Sequence, residues 1–410
     1  MSAEASRLLA EGVARASYGK LVAILSARSR DVAAAEDALA EAFAAALVDW
    51  PQKGPPDNPE AWLMTTARRK MTDQARRRRT GDAFAEAFRI LADEIDETGR
   101  AAIPDQRLAL LFTAAHPALD PDIRTPLMLQ VVLGLDAKQI ASAFLASPAA
   151  MAKRLVRAKA KIREAGIPFA IPDREAMPER LDAVLAAIYA AYSEGWGNME
   201  ADGRDLTGEA IFLARIVAEL LPDEAEAIGL LALLLHTDAR RPARRSNSGD
   251  YVPLSEQSPA LWDAARISEA ETLLRRAASL RRIGRYQIEA ALQSAHAVRH
   301  RDGVDNWSDL LRLYDALVAL VPSPVIVINR ALALAEIEGP LAGLAALDGI
   351  AAEPRLAEYQ PYWAARADLL ARADDADSAA EAFDRAIGLA SDPAVRRFLL
   401  KRRTALFKNR

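Results

Sequence analysis

Proline and glycine punctuate this chain at intervals that leave room for helices and for little else. The stretch Pro51-Gln52-Lys53-Gly54-Pro55-Pro56-Asp57-Asn58-Pro59 carries four prolines in nine residues, and we read it as a loop because proline lacks the backbone donor a helix interior needs. Before it, Ala5 to Arg28 and Asp31 to Trp50 repeat their apolar positions with a helical period. After it, a helix is expected from about Glu60 to Arg79, and helical structure reopens at Pro104 and continues to about Glu164. A second boundary falls at Gly166-Ile167-Pro168-Phe169-Ala170-Ile171-Pro172, beyond which short helical segments alternate with turns to the end. Alanine and leucine dominate these segments, aromatics make up 6%, and β-branched residues are not clustered. That composition favours helix over strand, so an all-α fold is expected. At 410 residues the chain is long enough for several domains of roughly 100–200 residues each.

Composition also excludes chemistry. The chain contains no cysteine, which removes disulfides, thiolate metal sites and a cysteine nucleophile. The formal net charge of −4 says little, because a DNA-binding chain can segregate its charge. The alanine-rich start is broken by Glu4, Arg7, Glu11 and Arg15, unlike a signal peptide. The longest apolar stretch, Ile228 to Leu235, is far short of the ~20 residues a membrane span needs. A soluble, cytoplasmic chain with no membrane association is expected. The four histidines are scattered; only His296 and His300 share a four-residue spacing, and no metal site is expected from it. With no glycine-rich phosphate loop and no nucleophile elbow, we expect no enzyme, no catalytic residue and no cofactor.

Two segments concentrate positive charge. From Trp62 to Arg79, seven basic residues stand against the single acid Asp73. At about 100° per residue, Leu63, Met64, Ala67 and Met71 gather on one side as a core face. Trp62, Arg69 and Arg76 lie roughly opposite, with Arg77 alongside. An aromatic beside arginines suits a stack of unpaired bases, although Trp62, at the helix start, suits equally a core residue folded back onto the proline loop. The second segment is Leu135 to Arg163. Asp136 to Phe144 reads as a short helix, Leu145-Ala146-Ser147 as a tight turn, and Pro148 as the first residue of the next helix, with Ser147 as its N-cap. Met151, Leu155, Ala158 and Ile162 form its core stripe. Ala149, Lys153, Val156, Arg157 and Ala160 lie opposite, Arg154 and Lys161 on the flanks, and no acid occurs between Pro148 and Arg163. This is a helix-turn-helix whose second helix offers small residues and long cations to a major groove.

Toward the end, Trp363, Ala367, Leu370, Ala379, Phe383 and Ala386 fall at the offsets of a tetratricopeptide repeat, and Leu310, Tyr314, Leu317 and Pro322 match the second half of another. Small residues at such positions let paired helices approach closely. A helical-repeat array of this kind exposes a concave face suited to a protein or peptide partner.

These segments, taken in order, resemble a known family. Ala35-Glu36-Asp37-Ala38-Leu39-Ala40-Glu41-Ala42-Phe43 followed by Trp62-Leu63-Met64-Thr65-Thr66-Ala67-Arg68-Arg69 looks like region 2 of an RNA polymerase sigma factor. Gln139-Ile140-Ala141-Ser142-Ala143-Phe144 followed by Met151-Ala152-Lys153-Arg154-Leu155-Val156-Arg157-Ala158-Lys159 looks like region 4. The carboxy-terminal half resembles the subgroup of extracytoplasmic-function sigma factors of the sigma-70 family that carry a tetratricopeptide-like extension, in Leu221 to Ala227, Asp238 to Arg244 and Asn329 to Glu336. The resemblance implies a region 2 helical bundle at 1–80, an acidic linker at 81–103, a region 4 helix-turn-helix at 104–166 and a TPR-like helical extension at 172–410. It implies core RNA polymerase, through its β′ and β subunits, and promoter DNA as partners. By the same resemblance Glu36, Asp37 and Glu41 contact the polymerase, Trp62, Arg69, Arg76 and Arg77 serve the −10 element, and Lys153, Arg154, Arg157 and Lys161 serve the −35 element. The linker, rich in Asp and Glu, corresponds to the segment threaded through the polymerase cleft, and reads equally as a solvated tether. Two departures stand out: Ala114 and Ala115 occupy the place where the subgroup has a cysteine pair, and the stretch Gln257-Ser258-Pro259 lacks the subgroup's basic residue. A different class of function, a helix-turn-helix regulator with a helical-repeat sensor that acts without polymerase, leaves the acidic helix at 31–50 and the basic helix at 62–79 without a role.

Overall fold

The computed structural model describes residues 3–29, 31–78, 106–144, 146–164, 176–197 and 205–406. The expected acidic linker at 81–103 and the boundary at 166–172 lie outside the described residues. The described chain is helical throughout; apart from one isolated antiparallel bridge between Arg245 and Tyr251 it contains no β-pairing. It divides into two compact units, Met1–Leu221 and Pro222–Arg410.

In the first unit, α1 (Ala3–Ser29), α2 (Val32–Lys53) and α3 (Pro59–Arg78) pack on one another. Asp31 starts α2 by accepting a hydrogen bond from the Ala34 amide at 2.9 Å, which satisfies a donor the helix leaves open. The helix runs three residues further than the sequence suggested, through Pro51 to Lys53. A proline in the last turn removes one bond of the ladder and no more, and Gly54, at a φ of 81°, makes the stop by donating to the Trp50 carbonyl. The true loop is therefore 54–58. Asn58 caps α3 through the Ala61 amide, with Pro59 as the first helical residue.

α4 (Gln106–Ala114) and α5 (Pro121–Leu133) follow. Besides the expected turn before Pro148, the helical run from Pro104 to Glu164 is broken twice more, the second of these at Gly134 in the left-handed conformation, φ 64°. There the Gly134 amide bonds Gln130 and the Leu135 amide bonds Leu129, closing the end of α5. α5 is buried nearly all round, from Ile123 to Leu133, and is the hub of the unit. α1 crosses it at Gly19, where a Cβ would stand 1.6 Å from the Val132 carbonyl oxygen; only glycine lets these two backbones meet. α6 (Ala137–Ala143) and α7 (Pro148–Glu164) form a hairpin. α8 (Pro178–Gly197) and α9 (Leu206–Leu220) form another. α8 lies on α4 and α5, with Arg180 donating to the Phe112 carbonyl at 3.1 Å, and Arg107 on α4 pairs with Glu209 on α9. The residues expected to open the extension thus bury their apolar face, Leu181, Val184, Leu185 and Ile188, within the first unit.

The second unit is built outward from α10 (Ala225–Asp238), which is buried from Ala227 to His236 and packs on α11 (Ala264–Ser279) and α12 (Arg285–Asp302). Its end carries a buried polar cluster. Asp238 is paired with Arg241 and Arg266, and His236, 3.4 Å from Glu271, is pushed down to about 4 by burial. Then come α13 (Trp307–Leu320), α14 (Pro324–Glu338), α15 (Pro340–Asp348), α16 (Gln360–Arg372), α17 (Ala376–Leu389) and α18 (Pro393–Ala405), each packed on the next. The repeat offsets seen in sequence sit at the α16–α17 crossing: Ala367, Ala379 and Ala386 are fully buried, with Phe383 beside them. Trp363 and Leu370 pack half-buried against the same cluster. The unit closes on itself. Arg245, in the loop after α10, pairs with Asp392 at 2.6 Å, Asp250 pairs with Arg397 and Lys401, and the Tyr251 ring meets Phe398 edge-on. His296 and His300 both lie on α12, but each ring sits edge-on to a different tryptophan, Trp307 and Trp262.

Candidate nucleic-acid and polymerase interface

The helix-turn-helix is stabilised locally before any packing. Asp136 accepts from the amides of Lys138 and Gln139 at 2.8 Å, and the Gln139 side chain accepts in return from the Asp136 amide. This reciprocal cap starts α6. Ser147 accepts from the Ala150 amide at 3.2 Å and starts α7 as its sequence predicts. Ala141, 1% exposed, is the small residue at the α6–α7 crossing. On α7, Met151, Leu155, Ala158 and Ile162 are buried. Lys153, Val156, Arg157 and Lys161 are exposed, so the long cations and the one apolar side chain among them face outward together. Such a face can contact phosphates and base edges, since nothing acidic competes with DNA along it before Glu164. Arg154 differs: it is half-buried and its guanidinium donates to the Asp122 carbonyl at 3.2 Å, the first turn of α5. It fastens α7 to the hub.

α3 presents a less uniform picture. Leu63, Met64 and Ala67 are buried and Met71 half-buried, as the periodicity requires. Arg68 and Arg69 are exposed. Arg76 and Arg77 lie in the last turns of α3, where side chains are not described. Trp62 takes the core alternative: it is half-buried, its ring edge-on to Trp50 at 5.6 Å between centroids and 68° between planes. Trp50 itself is 1% exposed. Thr65 and Thr72 return their hydroxyls to carbonyls of the same helix. The start of α3 is tied to α1 through Glu60, which accepts from Ser17 and pairs with Lys20 at 3.0 Å; these hydrogen bonds hold its carboxyl below the usual range.

The three candidate acids of α2, Glu36, Asp37 and Glu41, do not share one surface. Asp37 and Glu41 are exposed on a face with Ala44, Leu47 and Val48, and Lys70 of α3 pairs with Glu41 at 3.4 Å. Glu36 points the other way. Its side chain is 7% exposed and its Oε2 lies 3.0 Å from Nζ of Lys159 on α7. Burial raises its carboxyl above the usual range, although Lys159 pulls against that shift. The expectation that Glu36 contacts a partner alongside Asp37 and Glu41 is not met in this conformation, because its carboxylate is consumed inside the chain. Helical phase would have separated the residues, since Glu36 is 100° from Asp37 and shares its side with the buried Val32 and Leu39. Lys159 was not a candidate by sequence, and nothing short of the packed helices pairs it with a residue 123 positions earlier.

Residues 13–80, which hold most of α1 and all of α2 and α3, match the family described as sigma-70 region 2. Over those residues the chain is similar to sigma-70 region 2, which supports a member of the sigma-70 family. A second match, residues 180–278, is to a family of unknown function (DUF6596), and it runs from α8 through α11. An uncharacterized protein of Rhizobium meliloti (strain 1021) is 41% identical over 372 residues, 88% of each chain. Over a shorter span, 34% identity across 160 residues relates the protein to the probable RNA polymerase sigma factor RfaY of Xanthomonas campestris pv. campestris, covering 36% of this chain and 39% of that one. No solved structure matches. The region 2 match and this shorter relative support a sigma-factor role in transcription, and no described helix is long and apolar enough to cross a membrane.

Proposed function

We propose that the chain binds core RNA polymerase and directs promoter-specific initiation as a sigma factor of the extracytoplasmic-function type. The observation that carries this reading is a capped helix-turn-helix with an exposed face of Lys153, Arg157 and Lys161, in the same chain as a region 2 match. In this reading Lys153, Arg157 and Lys161 engage the −35 element, with Arg154 as their brace. Arg69, Arg76 and Arg77 serve the −10 element, and Asp37 and Glu41, beside exposed Leu47 and Val48, face the polymerase. The unit Pro222–Arg410 is a regulatory module of the TPR-like kind whose partner is a protein or peptide. Specific run-off transcription by the purified chain with core enzyme is the expected result. Failure to bind core under conditions where another sigma factor binds overturns the reading, and duplex binding without core binding would instead favour a stand-alone regulator. Removal of 222–410 is expected to change activity in cells while 1–221 stays folded; equal activity under all conditions would make that unit a passive one.

A further inference from the structure

Arginines of the second unit are commonly matched by acids: Arg245 pairs with Asp392, Arg285 with Glu289 and Arg330 with Asp315. Arg299 on α12 is not. Among the described residues its guanidinium makes no ion pair and no side-chain hydrogen bond; it is half-buried over the Trp307 ring, 4.2 Å from the centroid, with Nε buried and without an acceptor. Arg301, two residues on, shows the contrast, with two hydrogen bonds to Asp302 at 2.8 Å. The surroundings of Arg299 add positive charge and donors. Arg240, just past the end of α10, hydrogen-bonds Gln293 of α12. Burial first, then Arg240, His300 and Arg299, hold His296 down at about 4, and burial with Arg299 and Arg240 lowers His300 as well. The charged groups acting on these two rings are thus cations. Glu271 of α11 is engaged beside them, with His236 at 3.4 Å and with the Ser294 hydroxyl. Two indoles flank the cluster. Trp307 is edge-on to His296 at 6.3 Å between centroids, and Trp262 is edge-on to His300 at 6.2 Å. Trp262 is 7% exposed, and its Nε1–H is buried without an acceptor.

We propose that this cluster is a binding site for a small free oxyanion, a phosphate or a carboxylate, gripped by Arg299 and Arg240 with His300 beside them and walled by Trp262 and Trp307. The lining dictates the ligand. Guanidinium and indole groups donate hydrogen bonds and accept none, and an imidazole can donate, so the occupant must bring acceptors and negative charge. Stacking on Trp307 uses the face of the Arg299 plane and leaves its N–H edge, whose fork matches two oxygens of a carboxylate or phosphate. A small ion is favoured over a macromolecular acid because the Arg299 Nε and Trp262 Nε1 donors lie below the surface, where a free ion can follow and a phosphate or carboxylate held on a bulky chain cannot. The site also gathers four elements. Arg240 follows α10, Trp262 precedes α11, Arg299 lies on α12 and Trp307 opens α13. An ion held by all of them stabilises the second unit in proportion to its occupancy, which makes the unit responsive to a small solute as well as to any protein partner.

The test is titration calorimetry on the full-length chain with inorganic phosphate and, separately, with succinate, sodium chloride being adjusted to hold the ionic strength constant. Saturable binding of one or both at a single site is expected, with a rise in the unfolding temperature at saturation. The anion that saturates tells a phosphate site from a carboxylate site. Arg299→Gln is expected to weaken binding at least about tenfold, which is about 1.4 kcal/mol. Arg396→Gln, which removes an exposed arginine of α18, is expected to leave it unchanged. If Arg299→Gln does not fold, His300→Gln, at a half-buried position, decides, with a smaller loss expected. Absence of saturable binding by either anion overturns the proposal, as does binding that survives intact in both folded Arg299→Gln and His300→Gln. An equal loss in Arg396→Gln would identify an adventitious ion only and overturn it too. Polymerase and DNA take no part in the measurement, so the result stands apart from the sigma-factor reading.

Discussion

α3 and α7 are of similar length and similarly basic, yet one of them reads almost completely from sequence and the other does not. On α7 the apolar stripe Met151, Leu155, Ala158, Ile162 is one residue wide per turn and wholly buried; apart from the exposed Val156, the rest of the helix up to Arg163 is small or cationic. On α3 the stripe is broader, Leu63, Met64 and Ala67, and the large aromatic Trp62 stands at its edge. Whether Trp62 joined the stripe depended on what stood opposite, and Trp50 stands there. The lesson is that a narrow stripe determines the facing of the whole helix, whereas an aromatic at a stripe edge goes wherever another ring can receive it.

The comparison can be broken most sharply through the cores. Leu63→Ala on α3 and Leu155→Ala on α7 are each expected to cost about 2–5 kcal/mol in urea unfolding, as buried leucine truncations do. Met71→Ala should cost less, since Met71 is only half-buried. A Met71 loss equal to that of Leu63 would show the α3 facing to be rotated. The next effect is on α7's outer face. Arg157→Ala or Lys153→Ala should weaken −35 binding by about 1–3 kcal/mol with relaxed preference at one position if a base edge is read. A uniform loss with a shallower salt slope identifies a phosphate contact instead, and unchanged affinity in both variants would remove the face from consideration.

Trp62 sharpens the contrast further. Losing its edge-on pair with Trp50 should cost about 0.5–1.5 kcal/mol beyond the buried area, so Trp62→Ala should lower the unfolding midpoint while Trp62→Phe largely restores it. Should Trp62→Ala melt normally yet fail in promoter opening, the ring serves bases and α3 resembles α7 after all.

The smallest effect expected is a pH dependence of stability. Glu36 is faced by Tyr18 from α1, Asp37 from its own helix and Lys159 from α7. Burial raises its carboxyl, and the same burial together with Glu36's charge raises the Tyr18 hydroxyl. A carboxyl that binds its proton more tightly folded than unfolded contributes stability that is fully present below the ordinary carboxylate range and is lost as pH rises through the raised value. The urea midpoint should follow that sign, and Glu36→Gln should remove this part of the dependence.

Local chemistry written in consecutive residues was legible throughout. The start of α2 at Asp31, the cap at Ser147, the turn before Pro148, the α7 stripe and the small residues of the α16–α17 crossing all follow from residue type and spacing, because helix geometry converts sequence distance into direction. The same geometry placed Lys153, Arg157 and Lys161 outward. Where helices end was less legible: Pro51 in the last turn of α2 is tolerated because only one bond is lost there, and Gly134 divides a run that composition alone kept whole. What the tertiary structure alone decided is which charge meets which. Glu36 and Asp37 are adjacent acids in the sequence, yet one is buried against Lys159 and the other is exposed. Helical phase says that they diverge, but only the crossing of α1 over α5 at Gly19 brings α7 to the side on which Glu36 lies. A contact across 123 residues has no periodic signature, because its geometry is set by the packing of every helix between.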